Sequence, residues 1–186
     1  MKQKFNIYII ADPHINHWMI NKHCNRGFKD LSHMNSFILK NWNSPVKPED
    51  VVIVLGDWIW TQGSSEEIKK WIAKFNGRKI LVKGNHDRKG HIFYLKAGID
   101  FICDRFSWNY NKKKILFLHD PNFISNEDIQ KYDFIIHGHL HNNGPFYRVI
   151  DNCQIVNVSV ENIKYTPINL LTLLNRLKQG YYNEKM

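Results

Sequence analysis

The 186-residue chain predicts an α/β fold in which helices pack on a central sheet. Short apolar, β-branched runs alternate with segments of helical periodicity, which is the pattern of layered α/β proteins. The runs are apolar throughout, as is typical of strands buried on both faces. Between Phe106 and Ile163 the predicted strands outnumber the helices, so a second sheet and a sandwich-like arrangement are expected. No repeat or long linker divides the chain, and we interpret residues 1–186 as one domain.

Five runs have the length and composition of buried strands. They are residues 5–11, 51–55, 79–82, 115–118 and 134–136. Glycines stop three of these runs, at Gly56, Gly84 and Gly138.

Three segments carry apolar residues at the three- and four-residue spacing of amphipathic helices. The first follows Asp30 or Ser32, either of which can cap a helix. The second follows Ser64, which forms a capping-box pattern with Glu67. The apolar positions are Leu31, Met34, Phe37, Ile38 and Trp42 in the first, Ile68, Trp71, Ile72 and Phe75 in the second, and Leu170, Leu171, Leu174 and Leu177 in the third.

Composition limits the compartment and the partners. The net charge is +9, which favours anionic partners such as nucleotides, nucleic acid or phosphorylated metabolites. No apolar run approaches the ~20 residues of a membrane span, and the N-terminal apolar run ends at Asp12, so we expect a cytoplasmic protein without membrane association. The three cysteines form no C-x-x-C pair, which argues against a disulfide framework or a thiolate zinc site.

Polar clusters follow all five predicted strands. These clusters are Asp12-Pro13-His14, Gly56-Asp57, Gly84-Asn85-His86-Asp87, His119-Asp120 and His137-Gly138-His139-Leu140-His141. Ligands of α/β sheets bind at the carboxyl ends of the strands, so the five clusters are expected to converge on one site.

The residue types in these clusters are those of a metal site. Carboxylate, imidazole and amide oxygen suit Mn²⁺, Fe²⁺, Zn²⁺ or Ni²⁺. The candidate ligands are Asp12, His14, Asp57, Asn85, His119, His139 and His141. Because seven ligands are too many for one ion, we expect two ions that share a carboxylate. In Asp-x-His and His-x-His, an extended backbone would point both side chains at one centre.

The order of these motifs, from D-x-H through G-D, G-N-H-D and H to G-H-x-H at positions 12 to 141, resembles the calcineurin-like metallophosphoesterase superfamily. DPHINH, CNRGF, GDW and VKGNHDR are similar to its small bacterial and phage phosphoesterases. The resemblance implies a four-layer α/β/β/α sandwich. It also implies the following roles: Asp12, His14 and His141 on the first metal, Asn85, His119 and His139 on the second, Asp57 as the bridge, and His86 as the catalytic proton donor.

The sequence departs from the family pattern at two positions, which bear on the class of phosphoesterase and on the loop after His119. Protein Ser/Thr phosphatases of the superfamily continue G-D with Asp-Arg-Gly, whereas Gly56-Asp57 continues with Trp58-Ile59-Trp60, which argues against a protein phosphatase. Asp120-Pro121 replaces the usual small residue after His119, which leaves the ligand in place but alters the loop.

Three further residues are candidates for substrate binding. Arg88 adjoins the Asn85-His86 motif, and its guanidinium matches phosphate bidentately. Arg26 is a second candidate clamp on the strength of the resemblance alone. His17 lies just beyond the first ligands and is expected either to reach the substrate or to pack as a structural residue. His137 is expected either to support the ligands or to pack as a sheet residue, with the first role preferred.

The expected activity is hydrolysis of phosphodiester bonds in small nucleotide or cyclic nucleotide-like substrates. Two divalent ions, with Mn²⁺ preferred and Fe, Zn or Ni as alternatives, would supply a bridging hydroxide that attacks phosphorus, while His86 protonates the leaving oxygen. The alternatives are a phosphomonoesterase or pyrophosphatase acting on a small metabolite and a non-catalytic scaffold. A nuclease acting on longer nucleic acid is a variant of the first activity.

Overall fold

Two five-stranded sheets form the framework of the protein. A computed structural model describes residues 5–60 and 64–179. In spatial order, the first sheet contains β10 (Ile168–Asn169), β1 (Ile7–Ile10), β2 (Val51–Leu55), β3 (Arg78–Val82) and β4 (Phe101–Cys103). Strands β1 to β4 are parallel and β10 is antiparallel to β1. The carboxyl ends of β1, β2 and β3 therefore meet at one edge of this sheet.

The second sheet has parallel strands at its centre and antiparallel strands at its edges. In spatial order it contains β5 (Arg105–Tyr110), β6 (Lys113–Leu118), β7 (Phe134–His137), β9 (Cys153–Asn157) and β8 (Tyr147–Ile150). Strands β6, β7 and β9 are parallel, whereas β5 and β8 pair antiparallel with β6 and β9. This arrangement confirms the second sheet that the strand-rich half of the sequence predicts.

Helices cover the two sheets. The described helices are α1 (Trp18–His23), α2 (Leu31–Asn43), α3 (Ser65–Ile72), α4 (His91–Lys96), α5 (Asn126–Lys131) and α6 (Leu170–Lys178). Asp30, rather than Ser32, caps α2 by accepting a hydrogen bond from the backbone N–H of His33. Ser64 caps α3 in the same way through Glu67. None of the described helices is long and apolar enough to cross a bilayer.

The alternation of side chains along the second sheet explains the layers. Ile115, Phe117 and Ile136 belong to the main core, which also contains strands β1 and β2 and the apolar faces of α2, α3 and α6. Their chain neighbours Leu116, Leu118 and Ile135 form a separate core with Ile124, Ile129 and Tyr132 around α5. Since successive strand residues point to opposite faces, one face of this sheet packs on the first sheet and the other on α5. The order is therefore α/β/β/α, as expected.

Candidate metal centre

Two groups of donor atoms lie at the carboxyl ends of the strands. In one group, donor atoms of Asp12, His14 and His141 all lie within 4.8 Å of one another. In the other, donor atoms of Asp57, His119 and His139 meet the same limit. The Oδ1 atom of Asn85 lies 3.0 Å from Nε2 of His119 and so joins the second group. The structure thus brings all seven candidate ligands together, in the two sets that the resemblance implies.

Asp57, a member of the second group, also faces the first group. Its Oδ2 atom is 3.5 Å from Nε2 of His14 in the first group and 3.5 Å from Nε2 of His119 in the second. One carboxylate therefore faces an imidazole nitrogen from each group. This is the position that a bridging ligand between two cations requires.

The residues fit divalent cations. Oδ1 of Asp12 and Nε2 of His14 are buried and have no hydrogen-bond partner within the described ranges. Buried polar atoms without partners are costly, and metal coordination would satisfy both. Burial raises the pKa of Asp12 and lowers that of His14. Burial also opposes protonation of His119, but the Asp12 and Asp57 carboxylates outweigh it and raise the His119 pKa.

The backbone at the ligands is not extended, and the expectation from the Asp-x-His and His-x-His spacing was wrong on this point. Five ligands adopt left-handed conformations, with φ of 58° at Asp12, 52° at His14, 53° at Asp57, 70° at His139 and 50° at His141. Non-glycine residues rarely adopt such φ values, and backbone strain of this kind clusters at functional sites. The backbone turns at the ends of these strands, and this turn directs the side chains towards the two donor groups.

Two glycines allow the backbone segments to approach one another. A Cβ atom at Gly138 would lie 2.5 Å from Oδ2 of Asp12 and 2.6 Å from Cβ of Ala11. A Cβ atom at Gly84 would lie 2.6 Å from the backbone nitrogen of Asp57. Only glycine fits these two positions without moving the ligand beside it.

A buried polar network that was not predicted from the sequence holds the first group. Oγ of Ser159 and the backbone N–H of His139 each donate to Oδ2 of Asp12, both at 2.8 Å. Oε1 of Glu161 lies 3.0 Å from Nδ1 of His141. The signal in the sequence is the alternation of polar residues in Asn157-Val158-Ser159-Val160-Glu161, which begins at the last residue of β9. These contacts orient Asp12 and His141.

Asp87 supports the second group from behind. Its Oδ2 accepts hydrogen bonds from the backbone N–H of Asp57 at 2.7 Å and of Gly84 at 2.9 Å. Burial and the nearby Asp57 charge raise the pKa of Asp87 to about 6. The last residue of the Gly-Asn-His-Asp motif is therefore a positioning residue that ties β2 to β3.

His86 lies at the mouth of the site. Its backbone N–H donates to Oδ1 of Asp57 at 2.8 Å, and its Nε2 lies 3.9 Å from Oδ2 of Asp57. The His86 side chain is 27% exposed, unlike those of His14 and His119, which are buried. It can therefore meet a molecule that enters from solvent.

His17 packs beside the first group. Its Nδ1 atom shares a 3.1 Å hydrogen bond with Nδ1 of His14, and its ring stacks on Trp60 with centroids 3.8 Å apart. Burial, followed by the neighbouring His86 charge, lowers the pKa of His17 to about 4. The structure thus gives His17 a contact with a candidate ligand.

The interpretation of Arg26 as a phosphate clamp needs correction. Its side chain is buried and pairs with Glu161, with NH2 2.7 Å from Oε1. The same guanidinium donates to the backbone carbonyl oxygens of Asp12 at 2.8 Å and Pro13 at 3.0 Å. Its donors are thus used within the protein, and it braces the first ligand loop. Arg88, by contrast, is exposed.

His137 and Trp58 occupy packing positions. His137 is buried at the end of β7, where its Nδ1 lies 2.8 Å from the carbonyl oxygen of Gly138. Trp58 is buried and stacks on Trp42 with centroids 5.3 Å apart. Trp58 is therefore a core residue.

Comparisons with known proteins agree with the geometry. A family model described as calcineurin-like phosphoesterase matches residues 5–143. The chain is 33% identical over 178 residues to the uncharacterized protein MJ1445 of Methanocaldococcus jannaschii, covering 94% of this chain and 92% of that protein. A solved structure of a protein of unknown function from Aquifex aeolicus, AQ665, is 27% identical with a TM-score of 0.70, covering 94% of this chain and 100% of its own. The family match spans more than half of the chain, which therefore belongs to the calcineurin-like phosphoesterase family.

Proposed function

We propose that the protein is a metal-dependent phosphodiesterase that acts on small nucleotide or cyclic nucleotide-like esters. The observation that carries this proposal is the position of Asp57 between two donor groups, 3.5 Å from an imidazole nitrogen of each. Two cations held a few ångströms apart are the usual catalytic centre for hydrolysis of phosphate esters. Membership of the calcineurin-like phosphoesterase family supports a hydrolase.

Asp12, His14 and His141 would hold one divalent ion, and Asn85, His119 and His139 the other, with Asp57 shared. The mixture of imidazole, carboxylate and amide oxygen favours Mn²⁺, with Fe, Zn or Ni as alternatives. When bound, two such ions lower the pKa of water and neutralise charge on phosphoryl oxygens. Glu161 and Ser159 would fix the orientations of His141 and Asp12 as the ions bind.

His86 would donate the proton that the leaving oxygen needs. It is partly exposed at the mouth of the site, and its backbone is fixed by Asp57. An alkoxide leaving group is a strong base, so a positioned proton donor accelerates its departure. Arg88, which follows His86 by two residues and is exposed, would contact a phosphoryl oxygen.

The charge of the site supports a diester rather than a monoester. A monoester dianion needs additional cationic groups to hold it. The Arg26 guanidinium is bound to Glu161 and to backbone carbonyl oxygens. The pKa of His17 is lowered to about 4, so its ring is neutral at pH 7. Of the three candidate substrate-binding residues, Arg88 is therefore the one cation left to bind the substrate. A diester monoanion requires less neutralisation.

A panel of matched esters tests the proposal. The kcat/KM of Mn²⁺-loaded protein would be measured for p-nitrophenyl phosphate, bis(p-nitrophenyl) phosphate and a 2′,3′-cyclic nucleotide, with chelator-treated protein as the control. We expect diesters to exceed the monoester by tenfold or more and chelation to abolish turnover. A tenfold preference for the monoester would replace the diesterase by a phosphomonoesterase. Turnover of none of the panel with Mn²⁺, Zn²⁺, Ni²⁺ or Fe²⁺ would overturn the proposal.

A further inference from the structure

A cavity of about 500 Å³ opens beside the second donor group. Asn85 and His119 form part of its wall, and Leu118 and Phe123 add apolar surface. Its volume lies within the ~300–1,000 Å³ of typical small-molecule sites. Building on the proposed function, we infer that this cavity binds the aromatic base of a nucleotide substrate and that Phe123 is the specificity-determining contact.

Phe123 has the character of a stacking surface. Its side chain is 73% exposed, although a phenyl ring is normally buried. It lines the cavity only four residues after His119, one of the proposed metal ligands. A base that stacked on it would cover apolar surface and would lie next to the proposed site of reaction.

The segment that carries Phe123 is held in place before any ligand binds. Residues Pro121–Phe123 form a single 3₁₀ turn, and Oδ1 of Asp120 caps it by accepting from the backbone N–H of Asn122 at 2.9 Å. The backbone N–H of Phe123 donates to the carbonyl oxygen of Asp120 at 3.2 Å, and Pro121 is buried. The Asp120-Pro121 departure from the family pattern thus builds this turn. A contact that is already ordered costs little entropy on binding.

The remaining walls favour a base over a second phosphate or an aliphatic chain. Lys83 and Arg105 bring positive charge, but the Arg105 guanidinium is paired with Asp128. The carboxylates of Asp104 and Asp120 line the same cavity. A wall that carries both donors and acceptors around an apolar surface matches the edge and faces of a nucleobase. A purely anionic group would meet the two carboxylates.

Two cyclic phosphates that differ only in the base test the inference. The substrates are adenosine 2′,3′-cyclic phosphate and methyl riboside 2′,3′-cyclic phosphate, and both release an alkoxide. We expect the wild type to have a kcat/KM at least tenfold higher for the adenosine ester, since stacking on an aromatic residue contributes about 10- to 100-fold. Phe123→Ala should remove most of this preference and Phe123→Trp should retain it. Phe5→Ala is the matched control, because Phe5 is 40% exposed and precedes the amino end of β1, at the opposite end of the sheet.

Binding supplies a readout that needs no turnover. Calorimetry would compare AMP with ribose 5-phosphate on Mn²⁺-loaded protein and adenosine on metal-free protein. Phe123→Ala should lower the affinity for AMP and for adenosine by about tenfold and leave the affinity for ribose 5-phosphate unchanged. The inference would be overturned if AMP and ribose 5-phosphate bound the wild type with equal affinity. It would also be overturned if Phe123→Ala changed neither the ratio of these two affinities nor the ratio of kcat/KM for the two cyclic phosphates, even if both esters were hydrolysed. If neither were hydrolysed, the proposed function would fail, and the binding ratios would still decide the role of Phe123.

Discussion

Nε2 of His14 and Oδ2 of Asp57 lie 3.5 Å apart, although the two residues follow different strands of the first sheet. The backbone N–H of His14 donates to the carbonyl oxygen of Asp57 at 3.0 Å, so the two strand ends are joined by main chain as well. Both residues have left-handed backbone conformations. The strained strand ends are therefore fixed against each other, which preorganises this pair of candidate ligands.

Replacing His86 should separate proton donation from metal binding. His86→Ala should keep both ions and lose about 10²–10⁴-fold in kcat with a nucleotide diester, the usual contribution of a positioned acid. An activated aryl diester hardly needs the proton, so its loss should be much smaller. The checks are steady-state kinetics with both esters and elemental analysis. Equal losses for the two esters would remove His86 from the proton-donor role.

A methyl group at Gly138 should disturb the first metal group without removing any ligand. In Gly138→Ala the new Cβ atom would lie 2.5 Å from Oδ2 of Asp12, so the carboxylate or its loop must move. We expect a 10- to 100-fold loss of metal affinity, as is typical when the support of a ligand changes. Gly90→Ala is the control, because nothing lies within 4 Å of its Cβ position. Equal calorimetric affinities in the two variants would contradict the tight approach at Gly138.

Arg26 should behave as a structural residue. Arg26→Leu removes one of the two partners of the buried Glu161 carboxylate and leaves His141 as the other, so we expect a loss of about 1.5–3 kcal/mol of folding stability. Adding Glu161→Gln should restore part of the loss, because the carboxylate that lost its guanidinium partner is then neutral. Urea unfolding of metal-free protein measures both changes. An unchanged unfolding curve for Arg26→Leu, together with a raised KM, would restore the phosphate-clamp role.

Acid should destabilise the protein partly through His137. Burial lowers its pKa from 6.5 to about 4, so the folded protein keeps the ring neutral while the unfolded chain binds a proton below pH ~6.5. The contribution of the neutral His137 ring to the unfolding free energy is fully present above pH 6.5 and is lost as the pH falls towards 4, with about 2 kcal/mol lost at pH 5. His137→Gln cannot titrate, so its unfolding free energy should fall less between pH 7 and pH 5.

The His137 experiment uses urea unfolding of metal-free protein. His23→Gln, at an exposed position on α1, is the matched control and should follow the wild type. Identical pH dependence in the wild type and His137→Gln would show that His137 is not the group that titrates.

Five of the six interior strands and the candidate metal ligands could be predicted because both depend on short local patterns, whereas the interior strand β9 was not predicted. The sequence predicts a buried strand at Val51–Leu55, and the structure has the same strand, with Asp57 two residues after it. The edge strands could not be predicted in this way, since β8 and β10 are short and only partly buried and depend on their partners. Ser159 and Glu161 were missed because the polar alternation around them does not show which residues they contact, and only the fold brings them to Asp12 and His141.

Arg26 shows why a residue type alone does not determine a role. A guanidinium fits phosphate and carboxylate equally well. The sequence cannot place Glu161, which lies far along the chain from Arg26, within 2.7 Å of it. The backbone conformation of the ligands was missed for a related reason, since positive φ at non-glycine residues is imposed by the surrounding structure.

Metal titration of the purified, metal-free protein tests the central claim most directly. Calorimetry with Mn²⁺, checked by elemental analysis, should give two ions per chain in the wild type. Asp57→Asn should weaken the binding of both ions, because the Asp57 carboxylate that it removes lies 3.5 Å from an imidazole nitrogen of each donor group. Asp151→Asn, at an exposed turn, is the matched control and should bind as the wild type does. Saturation of the wild type at one ion, or loss of only one ion in Asp57→Asn, would contradict a centre of two ions that share Asp57.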